Sequence, residues 1–129
     1  YVSKVIANWM KDKESGHIVN IGSIAGKDVY MNGNVYCATK HAITAFSEGL
    51  RQELSVRKNI RVTCIEPGVV ATELTNTITD ESLQAFVESA KKMEALQAED
   101  IANAIVYAVE SPNHVNVNEI LIRPTTQDR

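Results

Sequence analysis

Tyr36 and Lys40 stand four residues apart in NVYCATK, residues 34–40, a spacing that a catalytic tyrosine would use. On a helix, residues i and i+4 share a face, so a phenol and an ammonium placed this way approach a common point. A free tyrosine titrates near pH ~10, too high for ready proton exchange at neutral pH, and a cation a few Å away favours the phenolate. Such a pair would serve as a general acid/base. The same spacing also fits a tyrosine at a helix start with a solvated lysine one turn below it, and spacing alone does not separate the two. Ser23, at the end of HIVNIGS, carries a hydroxyl that would hold a substrate oxygen at the same point while the proton moves.

Other chemistries fit less well. A hydrolase nucleophile at Ser23 needs glycines two residues before and after it, where Ile21 and Ala25 stand instead. His17, His41 and His114 show no metal-ligand spacing with cysteine or acidic residues, so no metal is expected. GSIAG looks like half of a glycine-rich phosphate loop, but no third glycine follows and a loop rather than a helix comes next. With 129 residues, 44% hydrophobic and 22% charged, the chain has the composition of one ordinary globular domain. Its net charge of −3 is spread over both signs and only 5% of residues are aromatic, which argues against nucleic acid as a partner. No apolar run approaches the roughly 20 residues that span a bilayer, and no basic-then-apolar leader precedes the first segment, so a soluble cytoplasmic protein without a membrane partner is expected. Cys37 and Cys64 lie in apolar surroundings, as reduced buried thiols would.

The elements that must position these groups follow from periodicity. Val2, Val5, Ile6, Trp9 and Met10 form a helical stripe expected to face a core, already in full period at the first residue, which suggests a chain beginning inside an element. HIVNIGS reads as a buried parallel strand, and KDVYMNGN as a turn. From about 35 to 56 a long helix should point Ala42, Ile43, Phe46, Leu50 and Leu54 inward, with Ala38, Ala42, Ala45 and Gly49 as a small-residue row open to close approach. IRVTCIEPG is the next strand, stopped by Pro67-Gly68. Thr79 and Asp80 are candidate caps for a helix running through Leu83, Phe86, Val87 and Ala90, and a further helix spans about 98 to 110 before Pro112. VNEILIRP closes as a strand. Strands alternating with helices predict parallel βαβ units, in which ligands bind outside the carboxyl ends of the strands. Ser23, Tyr36, Pro67 and Gly68 all fall at that edge.

NIGSIAG, then YCATK, then IEPGVVATEL, in this order and spacing, resemble the short-chain dehydrogenase/reductase family, in the carboxyl-terminal half of its catalytic domain. That resemblance implies an α/β fold, the C-terminal part of a doubly wound parallel Rossmann-type sheet. It implies NADP or NAD as cofactor and a small-molecule alcohol or carbonyl as substrate. By position, Tyr36 is similar to the family's acid/base, Lys40 to the residue that lowers the phenol's pKa and binds the nicotinamide ribose, and Ser23 to the hydroxyl that orients the substrate oxygen. Pro67, Gly68, Val70 and Thr72 match the turn that contacts the nicotinamide. A lid helix at about 79–95 would cover the substrate. NVYCATK, ITDE and VNVNEILIRPTTQ look nearest to the branch of 3-hydroxy acid, serine-type dehydrogenases. The family also implies a homodimer or homotetramer built partly on the 35–56 helix. The family's glycine-rich fingerprint and adenine-side residues have no counterpart in the sequence, so residues 1–129 are expected to be one domain portion lacking that half. A non-catalytic half-domain, serving as a binding or assembly module, is the alternative.

Overall fold

The strand Ile60–Pro67 carries almost nothing but apolar and β-branched residues, and in a computed structural model it forms the sheet's middle strand, buried along nearly its whole length. The residues described are 1–13, 15–74, 78–79 and 81–128, with the side chains of Ser82, Phe86, Ala90 and Lys91 left out. In chain order the elements are α1 (Val2–Lys13), β1 (Gly16–Ile21), a 3-10 turn (Ile24–Gly26), α2 (Asn34–Lys58) and β2 (Ile60–Pro67). A second 3-10 turn (Glu81–Leu83), α3 (Gln84–Lys92), α4 (Ala98–Glu110) and β3 (Glu119–Ile122) follow. The strand order is β1-β2-β3, and both pairings are parallel. Helices supply the crossovers that parallel neighbours need, so the expected α/β, Rossmann-type architecture is what forms.

Register decides what meets at the functional edge. Ile21 pairs with Ile65 and Pro67 with Ile122, so β2 and β3 end at one level and β1 ends two residues short of it. Two backbone bonds carry the ladder past those ends, Gly22 N–H to Ile65 O and Gly68 N–H to Ile122 O, each 2.7 Å. Below that edge, Ala7, Leu54 and Ile60 form a buried cluster with Met10, Ile18 and Leu50 packed against it. This cluster joins α1, β1 and β2 to the second half of α2. Leu54 is 2% exposed, and burying a leucine side chain contributes about 1.5–3 kcal/mol. α2 stops at Asn59, whose left-handed φ of 52° lets its N–H turn back to Ser55 O at 3.2 Å. Arg57 and Lys58 place positive charge on the last turn, where the helix dipole is negative.

Several expectations are corrected. α1 buries Ala7, while its apolar stripe of Val2, Val5, Ile6 and Trp9 lies exposed. On α2 the buried residues are Cys37, Ser47 and Leu54, whereas Ala42 and Phe46 face outward, with Phe46 49% exposed. Ala38, Ala45 and Gly49 are exposed as well. The third helix begins at Gln84 with Leu83 at its cap position and runs only to Lys92. Thr79 does not cap it, Val87 is its buried residue, and Asp80 and the side chains of Phe86 and Ala90 lie outside the described residues.

Candidate active site

Ser23 is the first group placed at the sheet edge. β1 ends at Ile21, and after Gly22 the chain turns with Ser23 extended (φ −173°, ψ 159°) and capping the 3-10 turn that follows. The Ser23 Oγ accepts from Ala25 N–H at 3.1 Å. Acceptance there holds the oxygen in place and leaves its own hydrogen for donation to a ligand oxygen. Gly26 closes this turn against α2, since a Cβ there would lie 2.6 Å from Thr44 Oγ1 and 3.0 Å from Lys40 O. Only a residue without a side chain permits that approach.

α2 brings the other two groups. Its first turn starts beyond Asn32, which has a left-handed φ of 65° in the expected turn, and Tyr36 and Lys40 follow one helical turn apart. The Lys40 ammonium lies 5.6 Å from the centre of the Tyr36 ring and donates to Gly22 O at 3.1 Å. Lys40 therefore ties α2 to the end of β1, directly beside Ser23. Tyr36 is 40% exposed, so its phenol is open to solvent at this edge. The expected convergence of helix and strand end is present. Ser23 bonds Ala25 N–H and Lys40 bonds Gly22 O, and the Tyr36 hydroxyl is hydrogen-bonded to neither of them.

The Pro67-Gly68 turn completes the edge. Beyond Gly68, Val70 bridges to Leu96 in parallel fashion, with Leu96 N–H to Val69 O at 3.0 Å and Ala71 N–H to Leu96 O at 2.8 Å. In a parallel bridge the flanking residues supply those bonds, so Val70's own N–H and C=O face the other way. The Gln127 side chain reaches back to this turn and its Oε1 accepts from Val69 N–H at 2.9 Å. Thr72 is exposed and its Oγ1 accepts from Leu74 N–H at 3.4 Å.

Sequence reasoning passed over Glu66, Thr44, Lys27 and Gln127, which surround these groups. Glu66 is the one acidic residue in β2, and an acid in a largely apolar strand was the available signal. Its side chain is 0% exposed, and burial pushes its carboxyl above the ordinary value. Lys27 pairs with Glu119 at 2.7 Å, and Arg123 with Asp28 at 2.9 Å, so the segment after Ser23 is pinned to β3 and its continuation. Cys37 and Cys64 are free and buried, and burial raises the Cys64 thiol. A polar depression of about 310 Å³ lined by Ser15, Gly16, His17, Asn59, Arg61 and Asn113 opens at the amino ends of β1 and β2, away from all of these groups. No helix among the described residues is long and apolar enough to cross a membrane.

The residues present fit the nicotinamide end of a dinucleotide. Lys40 keeps ammonium hydrogens beyond the one given to Gly22 O, and Val70 offers an outward-facing peptide donor and acceptor beside the Pro67-Gly68 turn. Nothing equivalent for an adenine end is found among the described residues.

Comparisons with known proteins converge on one family. A model described as short chain dehydrogenase matches residues 1–83. An uncharacterised oxidoreductase of Staphylococcus saprophyticus is 44% identical over 120 residues, covering 92% of this chain and 48% of its own length. Dehydrogenase/reductase SDR family member 11 of Bos taurus is 42% identical over 117 residues, 88% of this chain and 46% of its own length. The closed form of serine dehydrogenase complexed with NADP+ superposes with a TM-score of 0.88 at 36% identity, covering 98% of this chain and 51% of that one. The chain spans about half the length of the curated relatives it matches.

Proposed function

The chain belongs to the short-chain dehydrogenase family, and from that premise we propose that it is the carboxyl-terminal portion of an NADP- or NAD-dependent oxidoreductase acting between a secondary alcohol and a ketone. The observation that carries this reading is the position of Lys40, whose ammonium lies over the Tyr36 ring while bound to the strand end beside Ser23. When bound, the nicotinamide supplies the hydride acceptor or donor. Lys40 and Val70 hold its ribose and carboxamide, with Pro67, Gly68 and Thr72 forming the supporting turn. Ser23 donates its free hydrogen to the substrate oxygen, and Tyr36 takes the hydroxyl proton in oxidation or returns it in reduction. Lys40 places its ammonium beside the phenol as that proton moves.

A 3-hydroxy acid is the substrate class we favour, because the serine dehydrogenase structure is 36% identical over nearly the whole chain. The free buried cysteines accord with a cytoplasmic setting. The exposed small and apolar face of α2, with Ala38, Ala42, Ala45, Phe46 and Gly49, accords with a homodimer or homotetramer. That same face favours the second reading, a non-catalytic assembly module.

One variant separates the two. In the full-length protein, Tyr36→Phe should reduce NADP+-dependent oxidation of 3-hydroxybutyrate by a factor of about a thousand while NADPH affinity stays within about twofold, because it removes a proton path rather than a contact. Turnover that survives the substitution removes Tyr36 from the mechanism. A protein that binds neither NADPH nor NADH, yet self-associates, supports the assembly module.

A further inference from the structure

We propose that Glu66 acts as a neutral carboxylic acid that positions Lys40 through the hydroxyl of Thr44. The inference rests on the functional reading above and adds to it a residue that touches neither substrate nor cofactor. Glu66 stands one residue before Pro67 on β2, with 0% exposure. Its Oε1 is 2.9 Å from Thr44 Oγ1. Its Oε2 is buried with no hydrogen-bond partner among the described residues. Thr44 Oγ1 also lies 3.3 Å from the carbonyl oxygen of Lys40, one helical turn earlier.

Proton counting decides between the two states of the acid. A threonine hydroxyl has one hydrogen, and here two acceptors face it. With Glu66 ionised, that hydrogen goes to the carboxylate, the Lys40 carbonyl loses its second bond, and Oε2 is a buried anionic oxygen with no partner among the described residues. With Glu66 protonated, Oε1–H donates to Thr44 Oγ1 and Thr44 O–H donates to Lys40 O, a chain in which every hydrogen has one acceptor. Oε2 is then a neutral carbonyl, which tolerates burial far better. Lys27 is the nearest cation to the acid, but its ammonium is 3.8 Å from Oε1 and 2.7 Å from Glu119, whose own negative charge opposes a second one nearby. The other neighbour that titrates, Cys64, has its thiol raised by burial and so remains uncharged. Burial likewise raises the Glu66 carboxyl.

The consequence is a lysine held at two points. Its side chain is tied to the end of β1 through Gly22 O, and its backbone to the end of β2 through Thr44 and Glu66. The 3-10 turn after Ser23 sits directly over this junction, since a Cβ at Gly26 would meet both Thr44 Oγ1 and Lys40 O. Glu66 thus sets how far Lys40 stands from Ser23 and from whatever binds beside Tyr36.

The test uses the full-length protein and NADPH titrated by fluorescence. Glu66→Gln, whose amide N–H replaces the acid O–H, should keep the NADPH dissociation constant within about twofold, whereas Glu66→Ala and Thr44→Val should each raise it about tenfold, the loss of one hydrogen bond. Combining those two should do no further harm, and neither should add to Lys40→Ala, because all act through one side chain. Infrared difference spectra of wild type minus Glu66→Gln should contain the carbonyl band of a protonated carboxylic acid at neutral pH. Absence of that band, a Gln variant as impaired as Ala, or full additivity with Lys40→Ala would each overturn the proposal. Should Glu66→Ala fail to fold, Thr44→Val and the infrared band still decide. Failure of the catalytic reading is seen separately, as turnover that survives Tyr36→Phe, which leaves all these binding and infrared readouts intact.

Discussion

The Lys40 ammonium donates to the Gly22 carbonyl at 3.1 Å, so the cation beside Tyr36 is anchored just past the end of β1, next to Ser23, rather than hanging in solvent. That bond joins a helix to a neighbouring strand end, and it places one charge where phenol, hydroxyl and cofactor would meet. Lys40→Ala should therefore damage two functions at once. Turnover should fall at least about a hundredfold, within the range of lost acid/base assistance, and NADPH binding should weaken in the same variant. Lys40→Arg should not restore either, since a planar fork cannot replace a compact ammonium bonded to one carbonyl. Steady-state kinetics with a fluorescence titration checks both, and wild-type values in the Ala variant would remove Lys40 from the site.

Ser23 accepts from Ala25 N–H, and its own hydroxyl hydrogen remains free to donate. Ser23→Ala should lower kcat by about two orders of magnitude, the usual cost of removing one donor to a reacting oxygen. Stability should change little, by about 0.5–2 kcal/mol for the lost cap. Ser23→Thr keeps the hydroxyl in an extended backbone that any residue adopts, and it should recover a measurable part of the rate. Equal rates in Ala and wild type would leave Ser23 with the cap alone.

Much of the arrangement was legible in the sequence. Helix α4 forms over the span its periodicity and Pro112 indicated, Ala98–Glu110, and β2 stops at Pro67 as expected. Tyr36 and Lys40 share a helix face because spacing alone sets that. Which faces are covered was not legible. Periodicity finds an apolar stripe but not what packs on it, and so Val5 and Trp9 of α1 and Phe46 of α2, assigned inward, lie outward. The start of α3 was also beyond reach, since Leu83 at its cap position makes no side-chain capping bond that a sequence would advertise. The Glu66–Thr44 contact joins residues 22 apart in sequence, and no local pattern encodes it.

Asn116 extends the sheet with a side chain. Its Oδ1 accepts from Val62 N–H and its Nδ2 donates to Val62 O, both at 2.9 Å, upstream of the point where β3 begins. One amide thus occupies the place of a peptide unit on β3 and satisfies both backbone groups of a residue that is 1% exposed. Asn116→Ala strands that donor and acceptor, and it should destabilise the protein by about 2–4 kcal/mol, the cost of two buried unmade bonds. Asn116→Asp should fare no better, because a carboxylate cannot donate to Val62 O. Urea unfolding midpoints measure the difference; a shift under about 0.5 kcal/mol would mean that water replaces the side chain.

His17 sets an acid-side limit on stability. Thr63 Oγ1 gives its one hydrogen to Val117 O at 2.6 Å, so the 2.7 Å contact between Thr63 Oγ1 and His17 Nε2 must be donated by the ring. The imidazole is then the neutral Nε2–H form, and Nδ1 is buried without a partner among the described residues. A second proton would sit on that atom, near the Arg61 guanidinium. Burial first and Arg61 second hold the His17 pKa below its ordinary 6.5. The unfolded chain therefore binds the proton at higher pH than the folded one. His17 leaves stability unchanged well above pH ~6.5, and it lowers stability progressively as pH falls from there toward the lowered value. His17→Gln cannot charge, so its melting temperature should decline less than that of wild type between about pH 7.5 and 5.5. Parallel melting curves across that window would mean that the ring is already charged in the folded state or that its burial is relieved by water.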